Sequence, residues 1–295
     1  MLSKPVLARC DNRAQMARIN PVYGEPDQWT TSTNLVSEGL SAISFDFFID
    51  WSANPLVAGN ELWIKRITRL DVDQLTSAHV LQGALDCGDD LGALGAFAAR
   101  YGFNSRYMIF RDRVDWVNAP EQLLAATLVN DGFTLGVHSL AQIKNAIRKY
   151  SGGPVRIGGK GLMYGTSSLE CHLSRTDALW PGDADCVLSS TKSSEAVALL
   201  EFKKHNLETP LADENIQKYM RQDARKWQRL GLLRDRIAAP LFCVYYSTNR
   251  NVEHIKVERL VGPFDALQDG GSKMVSIEGM SQAGIGLAIA QAVTR

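Results

Sequence analysis

The chain has 295 residues, of which 45% are hydrophobic and 22% are charged. This composition is typical of a folded globular protein with one large domain or two modest ones, and it excludes disordered, collagen-like and fibrous classes. Lysine plus arginine equals aspartate plus glutamate at 32 each, so no global charge surplus attracts nucleic acid or an anionic membrane. Any basic surface must therefore be local.

The five cysteines are odd in number, widely spaced and never arranged as Cys-x-x-Cys, which argues against a disulfide framework or a zinc ribbon. No apolar run approaches the roughly 18 residues that a membrane helix needs. The first residues also lack the apolar stretch of a signal peptide. We therefore expect a cytoplasmic protein in a reducing compartment, without a membrane interaction.

The first half contains recurrent apolar runs in which helix and strand are hard to separate. Residues 1 to about 40 predict an extended, wrapping segment. Residues 106–111 predict a strand, whereas 119–128 and 139–148 predict helices, the second with Ser139 as its N-cap. We expect residues 1–155 to form an α/β region that serves recognition or dimerisation.

A glycine-rich segment at 151–161 is the clearest break in composition and predicts a linker. We expect a core domain over 156–262 and a tail with a packing helix over 263–295. The sequence shows no internal repeat. The core elements predicted in chain order are a helix at 167–174, strands at 185–189 and 196–203, a long helix at 215–232 after an N-cap at Asp213, and strands at 240–247 and 254–261.

Two of these strands, joined by a short turn, place three ionisable side chains close together. Asp185 starts the first strand, and alternation puts Glu201 and Lys203 on one face of the second, opposite Leu200 and Phe202. Two carboxylates can hold a hard divalent ion such as Mg²⁺. A lysine beside that ion can orient or deprotonate the attacking water and offset the charge of the transition state. Phosphodiester hydrolysis needs these groups.

The segments Trp180-Pro-Gly-Asp-Ala-Asp-Cys-Val-Leu and Ala198-Leu-Leu-Glu-Phe-Lys-Lys-His resemble the core of the PD-(D/E)XK nuclease superfamily. The resemblance covers roughly residues 160–260. It implies an α/β (α+β) fold, with a restriction-endonuclease-like mixed central sheet flanked by helices and the N-terminal α/β region added to it.

The resemblance also implies roles for individual residues. Asp185, Glu201 and Lys203 would bind metal and activate water, with Glu170 of the preceding helix as an additional acidic residue. The metal ligands would be Asp185, Glu201 and the carbonyl of Phe202, holding Mg²⁺ or Mn²⁺ as its substitute. The family's Pro-Asp dipeptide is here Pro181-Gly-Asp183-Ala-Asp185, so two aspartates compete for one role. We favour Asp185 because a strand follows it directly.

A local basic surface is predicted on the helix that follows the hairpin. Residues 214–236 contain seven lysines and arginines against three acidic residues. Such a stripe suits a phosphate backbone, although basic residues opposite an apolar stripe are also typical of a solvated helix face. The side chains predicted to contact nucleic acid are Lys160, Lys204, Lys218, Arg221, Arg225 and Arg229.

The function predicted from these features is a Mg²⁺-dependent phosphodiesterase, a nuclease that acts on DNA rather than RNA and as an endonuclease rather than an exonuclease. The resemblance to this superfamily alone favours DNA. A homodimer is left open. The alternatives are a non-catalytic nucleic-acid-binding or assembly protein that retains the nuclease fold, and an enzyme unrelated to nucleic acid with its site in the first half. A hairpin whose Glu201 and Lys203 merely pair in solvent is the structural alternative.

Overall fold

The computed structural model describes residues 2–14, 26–129, 132–158, 160–206, 209–249 and 252–294, which form a mixed α/β structure. The strands within these ranges are β1 (Leu2–Ser3), β2 (Ala8–Arg9), β3 (Leu40–Asp50), β4 (Val57–Thr68), β5 (Asn104–Arg111), β6 (Leu123–Val129), β7 (Gly132–His138), β8 (Tyr164–Gly165), β9 (Gly182–Ser190), β10 (Ala196–Lys204), β11 (Leu241–Tyr246), β12 (His254–Val261) and β13 (Gln268–Ser276). The helices there are α1 (Pro26–Trp29), α2 (Ser32–Leu35), α3 (Ser77–Asp86), α4 (Leu91–Tyr101), α5 (Leu140–Tyr150), α6 (Ser168–Leu173), α7 (Gln217–Met220), α8 (Ala224–Ile237) and α9 (Gln282–Thr294).

The chain divides into two compact units. The first contains the described residues of 1–18, 45–91 and 102–183, and the second contains those of 19–44, 92–101 and 184–295. The chain therefore leaves the first unit next to Asp183, and the glycine-rich segment at 151–161 lies inside that unit. This segment is anchored by Val155, whose N–H donates to the carbonyl of Asp177 and whose carbonyl accepts from Leu179.

The first unit is built on strands β3 to β7, which pair in chain order. The pairs β3/β4, β5/β6 and β6/β7 are antiparallel, and β4/β5 is parallel. A parallel pair needs a crossover connection, and the chain between β4 and β5 contains α3 and α4. One face of the sheet carries Phe48, Trp63 and Met108, which form a buried cluster with Ile143 of α5 and Leu169 of α6.

The second unit repeats this arrangement with strands β9 to β13. The pairs β9/β10, β11/β12 and β12/β13 are antiparallel, β10/β11 is parallel, and α7 and α8 lie between the parallel strands. Along the chain, the segments from β3 to α5 and from β9 to α9 thus share one order of elements: a hairpin, two helices, a strand parallel to the second hairpin strand, two antiparallel strands and a final helix. The repeated feature is the order of the elements and not the identity of the residues, so the sequence shows no internal repeat.

The alternation of β10 separates two environments in the second unit. Leu200 lies in a buried cluster with Trp29, Val244 and residues of α9, such as Ile289. The other face of the strand carries Glu201 and is covered by α7 and α8. The predicted separation of Leu200 and Phe202 from the ionisable residues follows this division.

Most of the predicted elements are present. The strand at 106–111 is β5, the helix at 139–148 is α5, and the side chain of Ser139 accepts from Gln142 N at its start. The helix at 167–174 and the four later strands correspond to α6, β9, β10, β11 and β12. The helix predicted at 119–128 is wrong, because these residues contribute to β6, whose Leu123–Ala126 are buried between β5 and β7.

The long helix predicted at 215–232 is also wrong. The chain forms the short α7, an interruption at 221–223 and then α8, while Asp213 lies in a 3₁₀ turn and not at an N-cap. The buried carboxylate of Glu258 accepts from Ile216 N at 3.0 Å, and Lys256 donates to the carbonyl of Glu214. These tertiary contacts hold the backbone before α7, so local propensity does not decide where the helix begins.

Cys10 and Cys171 form a disulfide in the first unit, with a Cα–Cα distance of 5.3 Å. This contradicts the expectation that the cysteines do not pair, since spacing in the sequence carries no information about partners that are 161 residues apart. Cys87, Cys186 and Cys243 are free thiols. In the part of the chain that the structure describes, no helix combines the length and the apolar character needed to cross a membrane.

Candidate active site

The β9/β10 hairpin brings Asp185, Glu201 and Lys203 to one face of the second unit. Leu200 pairs with Cys186, so the antiparallel register sets Asp185 opposite Glu201. The Oδ2 atom of Asp185 accepts from the N–H of Phe202 at 2.8 Å, which fixes this carboxylate against the second strand. The Nζ atom of Lys203 lies 3.7 Å from Oε1 of Glu201.

Glu201 is buried, with 1% of its side chain exposed, so the hairpin is not a solvated pair. Its Oε1 atom lies 2.7 Å from Nζ of Lys226 on α8. Lys203 also lies 2.9 Å from Oδ2 of Asp223, which precedes α8. The carboxylates of Glu201 and Asp223 therefore share the ammonium group of Lys203, and Glu201 also contacts Lys226.

Aromatic rings cover the ammonium group of Lys203. Its Nζ atom lies 5.3 Å from the ring centre of Tyr219 and 5.2 Å from that of Trp227. Such contacts are favourable for a cation and limit the directions in which the side chain can point. Trp227 is fully buried, so α8 fixes one wall of the site.

A second buried carboxylate supports the loop before α7. Glu258 is fully buried, and its carboxylate accepts from the hydroxyl of Tyr245 and from Ile216 N. Burial raises the pKa of Glu258 and also raises the pKa of Tyr245, so the tyrosine remains a proton donor at neutral pH. This network positions α7 and therefore Tyr219.

The oxygen donors of the site fit a hard divalent ion. Asp185 and Glu201 supply carboxylates, and the backbone of Phe202 supplies a carbonyl, which are ligands that Mg²⁺ prefers. Among the described residues, no group of three or more His, Cys, Asp or Glu side chains is placed to hold a metal. The described residues therefore fit a metal site with two carboxylates, in which the metal ion and Lys226 would compete for Glu201.

The two competing aspartates have different positions. Asp185 contacts β10, whereas Asp183 is exposed and belongs to the first unit. Glu170 also lies in the first unit, where its Oε2 atom accepts from Thr166 N at 2.8 Å and lies 3.4 Å from Nζ of Lys65. The role of Glu170 in the active site stays a prediction.

The predicted basic residues lie on several elements and not on one helix face. Lys204 is exposed on β10, and Lys160 is exposed in the first unit. Lys218 on α7 pairs with Glu214 at 2.7 Å. Arg221 is exposed in the interruption, whereas Arg225 and Arg229, exposed and half-buried, lie on α8.

The first unit contains a related pair that the sequence reasoning missed. Asp46 on β3 pairs with Trp63 on β4, and Lys65 lies two residues further along β4. In the second hairpin, Asp185 lies opposite Glu201, and Lys203 lies two residues further. The Asp and Lys positions recur, and Trp63 occupies the place of Glu201. Because the acidic residue of the motif is missing, nothing in the sequence marked this hairpin.

The related pair is closed off from solvent. The side chains of Asp46 and Lys65 are 7% and 10% exposed, and their charged atoms are 3.6 Å apart. Trp180 donates to Oδ2 of Asp46 at 2.8 Å. Burial raises the pKa of Asp46 to about 6, against the opposing effects of Lys65 and Trp180. This pair is part of the core of its unit.

Comparisons with models of protein families, with curated proteins and with solved structures give no match for this chain.

Proposed function

We propose that the second unit is a metal-dependent nuclease that hydrolyses internal phosphodiester bonds of DNA. The observation that carries the proposal is the convergence of Asp185, Glu201 and Lys203 on one face of a hairpin, with Glu201 buried. The sheet order of this unit is consistent with the restriction-endonuclease-like core that the sequence resembles. The choice of DNA over RNA comes from that resemblance.

Each of the three residues has a distinct role in this proposal. Asp185 and Glu201, with the carbonyl of Phe202, would hold Mg²⁺, which supplies polarisation of the phosphate and acidity of a bound water. The N–H of Phe202 keeps the Asp185 carboxylate aimed along the hairpin. Lys203 donates hydrogen bonds to the attacking water and offsets the negative charge that develops on phosphorus oxygens.

The surroundings of the site support binding of a cation. Removing a carboxylate from water is unfavourable unless opposite charges compensate it. Glu201 lies beside Lys203 and Lys226, and Lys203 is shared with Asp223, so a divalent cation would add to the positive charge around the buried carboxylate. The exposed Arg221 and Arg225 would contact the phosphate backbone, so substrate affinity would fall with salt.

Digestion of supercoiled plasmid by the purified full chain tests the proposal. We expect cleavage in Mg²⁺ or Mn²⁺, and none in excess chelator. Asp185→Asn, Glu201→Gln and Lys203→Met should each lose at least about 100-fold in rate. Asp235→Asn, an exposed substitution on α8, is the matched control and should cut at the wild-type rate.

Full activity in any of the three site variants would contradict the proposal, provided that circular dichroism shows the same fold. Absence of metal-dependent cleavage of plasmid and of single-stranded DNA by the wild type would also contradict it.

A second candidate is a non-catalytic nucleic-acid-binding protein. The observation that favours it is the ion pair between Lys226 and Glu201, in which the protein's own cation takes the position beside the carboxylate. This candidate predicts salt-dependent DNA binding in a gel shift without cleavage in any divalent metal. Equal binding by wild type and Glu201→Gln, with no turnover by either, would favour it.

A further inference from the structure

The first unit contains a cavity of about 550 Å³ that the proposed function does not use. It lies between the N-terminal segment, the chain after β5, and α6. This volume is within the range of small-molecule sites and exceeds the space that an inorganic anion needs. Its walls include the Cys10–Cys171 disulfide, Arg13, Arg113, His172 and Arg175.

The cavity is electropositive. Of its three arginines, Arg13 pairs with Asp112 at 2.9 Å, whereas Arg113 and Arg175 have no ion pair among the described residues. The carboxylate in the wall, Asp115, accepts from backbone N–H groups of the turn that follows it. Two guanidinium groups are therefore available to a ligand, and guanidinium groups bind phosphate oxygens in a paired geometry.

Arg113 has a backbone conformation that is rare for a residue with a side chain. Its φ angle is 62°, in the left-handed region that favours glycine. Residues held in such conformations cluster at ligand sites, where the surrounding structure fixes them. Here the unusual conformation coincides with a cavity wall and an available guanidinium group.

His172 adds a polar group without a partner. Its Nε2 atom is buried and makes no hydrogen bond with the described residues. Burial, Lys144 and Arg175 lower the pKa of His172 below 6.5, so the imidazole is neutral at pH 7. Buried polar atoms in folded proteins are normally hydrogen-bonded, and His172 is an exception that borders the cavity.

The remaining wall is apolar. Val114, Val117 and the Cys10–Cys171 disulfide line it, and the side chain of Trp116 is fixed by donation to Ser168 at 2.9 Å. We propose that this cavity binds an organic phosphomonoester of mononucleotide size, with its phosphate on Arg113 and Arg175 and its organic body against the apolar wall. A phosphomonoester carries close to two negative charges at neutral pH, which matches two available cations.

Calorimetric titration of the full chain in chelator tests this proposal. The probes are dAMP, deoxyadenosine, inorganic phosphate, and one oligonucleotide with either a 5′-phosphate or a 5′-hydroxyl. We expect saturable binding of dAMP, at least tenfold weaker binding of inorganic phosphate, and none of deoxyadenosine. Binding of the 5′-phosphorylated strand, and not of its 5′-hydroxyl form, would identify a strand end as a further source of the phosphomonoester. Binding of dAMP alone would identify a free nucleotide.

Arg113→Gln and Arg175→Gln should each weaken dAMP binding by about tenfold or more, because each removes a charged hydrogen-bond donor. Arg69→Gln is the matched control, since Arg69 is an exposed arginine of the same unit outside the cavity. Unchanged affinity in both cavity variants, or no binding of any phosphomonoester by the wild type, would overturn the proposal. Glu201→Gln should bind dAMP normally, so this result is separable from loss of the nuclease proposal.

Discussion

Lys226→Met removes a counterion that lies 2.7 Å from the buried Glu201 carboxylate. Breaking a buried ion pair by removing one partner costs about 3–5 kcal/mol. Lys226 is 23% exposed and Lys203 remains 3.7 Å from the same oxygen, so we expect a smaller loss of stability than this range, about 2–3 kcal/mol. If the carboxylates hold a metal, Mg²⁺ should bind the variant more tightly and restore part of the lost free energy of unfolding.

Urea unfolding of the full chain in chelator and in Mg²⁺ measures this effect. A ligand that binds only the folded state at ten times its Kd stabilises by about 1.4 kcal/mol. We expect Mg²⁺ to raise the stability of Lys226→Met by at least about 1 kcal/mol more than it raises that of the wild type.

Lys218→Met is the control, because it removes the 2.7 Å partner of Glu214, another buried carboxylate. Its loss of stability should not recover in Mg²⁺. Equal Mg²⁺ effects on the wild type and on Lys226→Met would refute the reasoning, and so would an equal recovery in Lys218→Met.

Three further predictions concern stability. Asp46 has a pKa of about 6 in the folded chain and an ordinary value of 3.8 when unfolded. Its favourable contribution to the free energy of unfolding is therefore complete below pH 3.8 and is lost as the pH rises through 6. Between pH 4.5 and 7.0, urea titrations should show that the free energy of unfolding of the wild type falls by about 2 kcal/mol relative to that of Asp46→Asn. If the stabilities of the two proteins changed in parallel with pH, this prediction would be contradicted. A reducing agent should lower the Tm of the wild type and leave that of the Cys10→Ser/Cys171→Ser double variant unchanged. The free energy of unfolding of the wild type should be about 2–5 kcal/mol higher in the oxidised than in the reduced form. Gly286→Ala should destabilise by about 1–3 kcal/mol, because its Cβ would overlap a backbone carbonyl of α1, whereas Gly284→Ala, with ordinary contacts, should not.

The second half was the more predictable part of the fold. Strand β11, with buried Leu241 and Val244, and strand β12 show the β-favouring and alternating patterns that sequence analysis detects. Helix α5 was predictable because Ser139 and Gln142 form a capping box at its start. These elements carry their signals locally, in consecutive residues.

Other elements depend on contacts that a sequence does not display. Strand β6 is apolar throughout its buried part, so its residues fit a helix or a strand until β5 and β7 are in place. Strand β13 is almost wholly exposed and rich in polar residues, and pairing with β12 defines it. The start of α7 depends on Glu258, which lies 42 residues beyond Ile216 in the sequence.

In the candidate site, too, some residues could be predicted from local sequence patterns and others depend on tertiary contacts. Alternation along β10 placed Glu201 and Lys203 on one face, and the strand that follows Asp185 favoured this aspartate, which contacts β10 through the N–H of Phe202. The second lysine of the site was not predictable in this role, because Lys226 was one of several basic residues on a helix with the wrong bounds. Its contact with Glu201 depends on how α8 packs against the sheet.

The most direct test of the nuclease account is the single-turnover rate at which the full chain cleaves one labelled DNA duplex in Mg²⁺. The account predicts that Glu201→Gln, folded and at the same protein concentration, cleaves at least about 100-fold more slowly than the wild type. Cleavage by this variant within about threefold of the wild-type rate would contradict the assignment of the hairpin as the catalytic site.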